Sequence, residues 1–361
     1  MSQNSMILNA QWSSRPNDQR FLTMQDLHAS VLARRQTSRV HDVALEHLRV
    51  GVDGEQVTLG AATGETYGKM THWAFGQLAA RAHAPAGYLR TLPPELAAVN
   101  MQWSLEHLTD DETRDGKVLT RQNGSLNSAA VTSPTYGRIW DADLTGAIMS
   151  RVDLNAWKVP SASYSASDPK RATTLYASDR DVFVFLCNET AAIKIPGEHA
   201  DKFRGFYAYN SETGNGKMGI ATFLYDHVCD NRIIWGMSEF GEIAIRHTSG
   251  APMRFLAEAM PQLNKYLTSS PSGEENVIKA AQAREVGKDR ASVVDWLKSR
   301  GFAQSLAGRA YDGAEKEGIR NPRTLWGVVS GLTGAAREIG HTDDRVAIER
   351  KASALLDLVA V

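Results

Sequence analysis

The chemistry-bearing side chains of this chain concentrate in FYAYNSETGNGKMGIATFLYDHVCDN, residues 206–231. Tyr207, Tyr209, Asn210, Glu212, Lys217, His227 and Cys229 stand there beside Gly214 and Gly216, so phosphate binding, metal ligation and nucleophilic catalysis each need weighing. A phosphate loop of the Walker kind sets its two glycines four residues apart and follows them with Lys and a hydroxyl residue. Here Gly214 and Gly216 are too close, and Met218 follows Lys217. The spacing suits a turn, with Asn215-Gly216 reversing one strand onto the next. His227, Cys229, His247 and Cys187 are the metal donors to consider, but the chain has neither a CxxC nor an HExxH, so no metal is expected. Cys229 lies between Asp226 and Asp230, which raise a thiol pKa, and a buried inert cysteine is expected. If Thr222 caps a short helix, His227 and Cys229 point to different sides of it. Asp110-Asp111 falls in a loop and Asp343-Asp344 at a helix start, where acid complements the dipole, so neither pair implies acid–base work. No catalytic residue and no cofactor is assigned.

What remains is basic and aromatic. Arg204, Phe206, Tyr207, Tyr209, Lys217, Arg232 and Arg246 cluster in sequence, with Lys170 and Arg171 upstream and Asp179, Asp181, Glu212 and Asp230 interleaved. Exposed strand aromatics beside Arg or Lys can stack bases and follow a phosphate backbone. Alternate strand residues share a face, which would send Phe206 and Ala208 to the core and Tyr207 and Tyr209 outward. Arg204, Tyr207, Tyr209, Lys217, Arg232 and Arg246 are therefore the candidate nucleic-acid contacts. Asn210, Ser211 and Glu212, beside Gly214, are expected to hold a loop in shape, because short polar side chains bond a turn's own backbone.

The elements that position these residues are signalled locally. Thr23 to Asp26 is a capping-box pattern before Leu27 and Val31, predicting a helix to about Arg35. Leu48 to Leu59 alternates around Asp53-Gly54, and 117–132 flanks Asn123-Gly124, so two hairpins are predicted. Thr71 caps a helix carrying Phe75, Leu78, Ala79 and Ala82. Pro93-Pro94 opens another with Leu96, Val99 and Trp103 on one side. Asp141 or Asp143 starts a helix that turns Leu144, Ala147 and Ile148 inward. DVFVFLC, residues 181–187, is a strand buried on both faces, and ATTLYAS, GFYAYN and EIAIRH complete its sheet. Pro252 starts a helix with Leu256, Ala259, Met260, Leu263 and Leu267 on one stripe. TSSPSGEEN, 268–276, is the linker candidate, and helices follow it. The fold class is α+β, a mixed or antiparallel central sheet with helices packed on it. An N-terminal helix and hairpin region spans 1–110, the α+β core 111–268 and a helical region 269–361.

Composition bounds the rest. At 361 residues, 42% hydrophobic and 22% charged, the chain has the make-up of a soluble globular protein. Its formal net charge of -1 lacks the footprint of a strongly basic nucleic-acid binder, so phosphate affinity would need a local patch. Its two cysteines, Cys187 and Cys229, cannot build a disulfide framework and fit a reducing compartment. No apolar run reaches the roughly 18 residues of a membrane span, and the start of the chain does not resemble a secretory leader. A cytoplasmic location without membrane partners is expected.

FYAYNSETGNGKMGIATFLYDHVCDNRII followed by RHTSG resembles the phage- and plasmid-type family called domain of unknown function 932. That family shows an Asn-Ser-Glu-x-Gly turn, an aromatic-rich helix ending in Cys-x-Asn, and a basic-His pair. The matching positions are Asn210, Ser211, Glu212, Gly214, Gly216, Cys229, Asn231, Arg246 and His247, with Asp230 standing where a neutral residue is usual. FGQLAARAHAPAGYLRTLPPELAAVN, AAVTSPTYGRIWDADL and TLWGVVSGLTGAAR are similar to its other segments. The resemblance implies a mobile-element setting but no settled activity. The element order from Leu144 to Leu267 also resembles the β-β-β-α core of Rad-type annealing proteins, a likeness of fold order alone. The expectation is a non-catalytic protein that binds or anneals single-stranded DNA as a homo-oligomer. One alternative is a nucleotide- or nucleic-acid-processing enzyme using Glu212, His227 or His247 as acid or base, with Asn210 and Asn231 orienting the substrate. Another is a protein that blocks a host nuclease or defence complex.

Overall fold

Two tight turns and two threonine caps build the first part of the protein. The computed structural model describes residues 16–108, 114–160, 173–196, 201–226, 232–235, 242–316, 321–336 and 342–359. Strand β1 (Arg20–Phe21) leads into helix α1 (Met24–Gln36), whose first turn is capped as the sequence predicts: Thr23 Oγ1 accepts the Asp26 N–H at 3.0 Å. Strands β2 (Ser38–Ala44), β3 (Leu48–Asp53), β4 (Gln56–Ala61) and β5 (Thr66–Met70) follow. Helix α2 (His72–Arg81) is capped by Thr71, and helix α3 (Pro94–Glu106) begins with its proline in the first turn. Strands β6 (Asp115–Asn123) and β7 (Ser125–Thr132) form the second hairpin. Gly54 and Gly124 take the positive φ that these turns require, +59° and +69°.

The six strands order as β2-β6-β7-β5-β4-β3, antiparallel except where β5 runs parallel to β7. Leu45, Leu59, Leu78, Met101, Val118 and Val131 share the core beneath α2 and α3. The hairpin β6-β7 thus completes the N-terminal sheet, across the boundary expected at 110, because β6 pairs with β2 from far earlier in the chain. Leu96, Val99 and Trp103 do share a side of α3, but it is the solvent side. Ala97, Ala98, Met101 and Leu105 face inward, and their small side chains let the helix lie close to the sheet.

The central sheet is antiparallel throughout. After helix α4 (Asp141–Met149) come β8 (Trp157–Lys158), β9 (Leu175–Ala177), β10 (Val182–Ile193), β11 (Lys202–Asn210), β12 (Met218–Asp226), β13 (Arg232–Trp235) and β14 (Glu242–Ile245). The order is β1-β9-β10-β11-β12-β13, with β8 also on β10 and β14 also on β12. Residues 218–226 are thus a strand and not the aromatic helix expected there, and Thr222 is buried mid-strand instead of capping. A helical turn Ala251–Arg254, a π-helical turn Phe255–Ala259 and helix α5 (Met260–Thr268) run on from one another. Phe255, Ala259, Met260 and Leu263 pack with α1 and α4 on one face, against Val184, Leu186, Phe206 and Ala208. Leu256, expected on the same stripe, is exposed. The other face is aromatic: Tyr176, Phe183, Phe185, Tyr207, Tyr209, Phe223 and Tyr225 form one buried layer.

Helices α6 (Ser272–Ala283), α7 (Arg290–Ser299), α8 (Gln304–Lys316), α9 (Leu325–Ala336) and α10 (Thr342–Ser353) form the C-terminal region, whose core includes Ile193, Ile195 and Leu224 of the central region. None of the described helices is long and apolar enough to cross a membrane. The expected linker at 268–276 is instead a junction. α6 starts at Ser272, and Glu274 lies buried with one carboxylate oxygen 2.9 Å from Arg204 Nε. Arg204 also donates to the Ser269 carbonyl at 2.7 Å and lies over the Tyr266 ring at 4.0 Å. Removing one partner of such a pair strands the other charge in the core. Glu274→Ala should therefore lower stability by about 3 kcal/mol or more in urea unfolding, whereas a loss within ~0.5 kcal/mol would mean that the junction is solvated.

Candidate nucleic-acid interface and its buried anchor

The Asn-Ser-Glu-Thr-Gly loop joins β11 to β12 and is fixed from several sides. Ser211 Oγ accepts the Asn215 N–H at 2.9 Å and donates to the Arg180 carbonyl at 2.7 Å, which holds the turn shut. Gly214 sits at φ +87°, a conformation that L side chains rarely adopt, with Gln77 Nε2 3.1 Å from where a Cβ would lie. Trp73 Nε1 and Gln77 Nε2 of α2 donate to the Thr213 carbonyl at 3.0 and 2.8 Å. Tyr136 donates its hydroxyl to the Ser211 carbonyl at 2.8 Å. The loop therefore fastens the N-terminal region to the central sheet.

Beneath it lies a buried ionic cluster. Glu212 accepts from Arg121 Nη2 and from the Asp141 N–H at 3.0 Å, and its carboxylate is 3.3 Å from Arg34 Nε. Arg34 Nη2 also donates to Asp141 Oδ2 at 2.6 Å. Asn210 Nδ2 bridges Asp141 Oδ1 at 2.7 Å and the Ile139 carbonyl at 2.8 Å. The spare arginine donors reach strand-end carbonyls: Arg34 bonds Ser178, and Arg121 bonds Asp179 at 2.6 Å. Burial and the Glu212 charge push the Asp141 carboxyl well above the usual range. Burial also pushes Glu212 up, but Arg34 and Arg121 outweigh it and hold Glu212 low. A pair split this way often marks acid–base catalysis. Here the side chains of Asp141 and Glu212 are only 0% and 2% exposed, so no substrate atom reaches them. Asn210, Ser211 and Glu212 all bond neighbouring elements here.

The candidate nucleic-acid contacts divide. Arg204, Tyr207 and Tyr209 are buried, which corrects the outward orientation expected for this strand. Every residue of β11 is buried, so alternation separates two covered faces rather than core from solvent. Arg204 is spent on Glu274, and the Tyr207 hydroxyl accepts from Arg350 at 3.0 Å. Tyr209 donates to Glu242 at 3.4 Å, and burial pushes both phenols up. Lys217 and Gly216 are partly exposed, and Arg246 is exposed. Arg232 lies on β13, but its side chain is outside the description, and Lys170, Arg171, His227, Cys229 and Asn231 lie outside the described residues. Cys187 is a free, buried thiol whose pKa burial raises. Among the described residues no three His, Cys, Asp or Glu side chains could together hold a metal ion.

The structure adds a group that the sequence argument passed over. Arg35 lies over the Trp140 ring at 3.8 Å, and Arg138 lies 5.5 Å from Trp140 and 5.1 Å from Tyr136. Tyr136 stacks on His247 with ring centroids 4.9 Å apart and planes 22° from parallel. Cation, ring, cation, ring, ring form one ladder of partly exposed side chains. Tyr136, Arg138 and Trp140 recur at every second residue of an extended segment, a signal that was present in TYGRIW. Burial, with the Arg138 charge adding to it, depresses the His247 pKa to about 4, so the imidazole is neutral at pH 7. No family model matches the chain, and neither a curated protein nor a solved structure matches it.

The two buried carboxylates should give opposite pH signatures. Glu212, held below its usual 4.5, adds stability that is present above that value and lost as pH falls through its folded pKa. Asp141, held above its usual 3.8, adds stability that is present below that value and lost as pH rises through its folded pKa. The deficit of Glu212→Gln should therefore be largest near neutrality and shrink in acid. That of Asp141→Asn should be largest in acid and shrink as pH rises. Urea unfolding of both variants across a pH series measures this, and parallel deficits would refute the split.

Proposed function

We propose that this protein binds single-stranded nucleic acid along the Arg35–Trp140–Arg138–Tyr136–His247 ladder, without catalysing a reaction. The single observation that supports it is the alternation of guanidinium and aromatic planes on a partly exposed segment. Rings of this kind stack bases without regard to sequence, and the arginines between them neutralise phosphates. The net charge of -1 opposes this, so the affinity rests on the local positive patch alone. Arg246, exposed beside His247, and Lys217 extend the positive rim. Asp143, whose carboxyl interacts with Arg35, weakens the outer end of the ladder. Annealing of complementary strands, assembly of copies into a longer groove, and service in phage or plasmid recombination or replication belong to the same proposal. The acid–base alternative has less support, since Glu212 is enclosed by its ion pairs.

Fluorescence anisotropy with single-stranded and duplex oligonucleotides across a salt series tests this. Arg138→Gln should weaken binding at every sequence and reduce the salt slope by roughly 0.7 per lost phosphate contact. Trp140→Ala should cost about 1–3 kcal/mol with the slope unchanged. If the unmodified protein binds neither strand form at low salt, the proposal fails and a protein partner takes first place.

A further inference from the structure

Among the described residues six large apolar side chains are more than half exposed, and they fall in two places. Tyr88, Leu96, Val99 and Trp103 belong to α3 and to the helical turn Ala86–Leu89 that packs against it. Met253 and Leu256 belong to the helical run that follows β14. Exposed apolar side chains scattered singly are ordinary, whereas grouped ones mark contact surfaces.

The local structure prepares each group for a partner. Leu96, Val99 and Trp103 recur at intervals of three and four residues, the seam that another helix fills. α3 also packs Ala97, Met101 and Leu105 inward, so it is apolar on two sides, and a helix of that kind is covered on both. Its polar side chains are occupied: Asn100 Nδ2 donates to the Leu96 carbonyl at 2.7 Å, and Gln102 Oε1 accepts the Val50 N–H at 2.8 Å. His107 stacks on the Trp103 indole with ring centroids 4.3 Å apart and holds it in place. On the other surface the Met260 N–H bonds the Phe255 carbonyl, five residues back, so the π-helical turn shifts the helical phase. Phe255 and Ala259 then face the core, and Leu256 turns out to solvent one helical turn from Met253. Turns of this kind occur mostly at functional sites.

Charge and position make the two surfaces complementary rather than alike. From Tyr88 to Glu106 the charged residues are Arg90, Glu95 and Glu106, and Arg90 donates to the His72 carbonyl at 2.9 Å, so the α3 seam has an acidic border. From Arg246 to Lys265 they are Arg246, Arg254, Glu258 and Lys265, a basic excess. Two copies of one surface would repel at their borders, and one of each would attract. α3 packs on β3 and β4, at the end of its sheet opposite β2, whereas the other run packs on the central sheet. Both surfaces stay exposed within one chain, so the contact that covers them is between chains.

We infer that α3 of one copy docks on the Met253–Leu256 surface of the next copy, head to tail. Such a contact is heterologous and repeats from copy to copy. Pro252, next to Met253, has its Cδ 3.1 Å from where a Cβ of Gly137 would lie, so each junction stands beside the Tyr136–Arg138 part of the ladder. The inference rests on the strand-binding proposal for its use, since it names the surfaces for the assembly of copies which that proposal includes.

Sedimentation velocity of the full-length protein without nucleic acid, across a wide concentration series, tests the contact. The unmodified protein should form species larger than a dimer as concentration rises. Trp103→Glu and Leu256→Glu should each stay monomeric at concentrations roughly tenfold above those at which the unmodified protein assembles. An equimolar mixture of the two should give a 1:1 dimer, because each supplies the surface that the other lacks. Val99→Glu and Met253→Glu repeat the pair if either first variant folds poorly by circular dichroism. A monomeric unmodified protein overturns the inference. Assembly that survives either substitution overturns it too, and loss in Trp103→Glu alone would mean that α3 pairs with α3. A mixture that stays monomeric has the same force. A monomer that binds oligonucleotides would overturn the head-to-tail contact and leave strand binding intact, whereas assembly without oligonucleotide binding would keep the contact and sink the strand-binding proposal.

Discussion

The fold hangs on the pairing of Arg34 and Arg121 with Asp141 and Glu212. These residues come from α1, β6, the start of α4 and the loop after β11, so one ionic cluster fixes elements from both sheets. Charges this deep are unfavourable alone and tolerable only when their lone pairs and donors are met. Asn210, the Asp141 N–H and the carbonyls of Ser178 and Asp179 meet most of them here, while Arg34 Nε, Arg121 Nε and Asn210 Oδ1 make no hydrogen bond among the described residues. Directional bonds of this sort permit a single relative placement of the elements, which apolar packing by itself would not enforce.

That placement is what aligns the ladder. Trp140 immediately precedes α4, and Asp141, the first residue of α4, is held by Arg34; the next residue of α1, Arg35, covers the Trp140 ring. At the other end Tyr136 is tied to the loop through Ser211, and the Gly137 N–H donates to the His247 carbonyl at 3.1 Å. The surface group therefore continues from the buried cluster at two places: Arg35 and Trp140 are each one covalent step from Arg34 and Asp141, and Tyr136 bonds the Ser211 carbonyl, next in the chain to Glu212. Side chains fixed this way have little conformational entropy left to lose.

Local chemistry made much of the fold legible in advance. Thr23 and Thr71 cap their helices, Gly54 and Gly124 take the turn conformations, and the apolar run from Val182 is covered on both faces, because each signal depends on neighbours in sequence. Tyr207 and Tyr209 were misplaced for the opposite reason. Whether an alternating strand shows a face to water depends on what packs there, and the layer over β11 comes from other strands and from Arg350. The same holds for Glu212, whose partners Arg34 and Arg121 are distant in the chain, and for Glu274, whose setting in a Ser- and Pro-rich stretch suggested solvent. Tyr136, Arg138 and Trp140 were readable as an alternating aromatic and basic segment, but not Arg35 and His247, which complete it.

The pairing of β1 with β9 has a bearing on how the chain is made. Arg20 finds its place opposite Tyr176, so the first described strand has no partner until the ribosome has passed through the whole N-terminal sheet. That sheet needs only residues up to Thr132, and can close while α1, which precedes it, still awaits α4. Synthesis thus separates two events that the finished protein makes interdependent: an early sheet, then a late capture of the chain's own beginning by the central sheet. The interval leaves Leu27 and Val31 without their core, whose members continue through Phe206 and Met260 to Tyr266, so their apolar side chains stay uncovered well beyond the pairing of Arg20 with Tyr176.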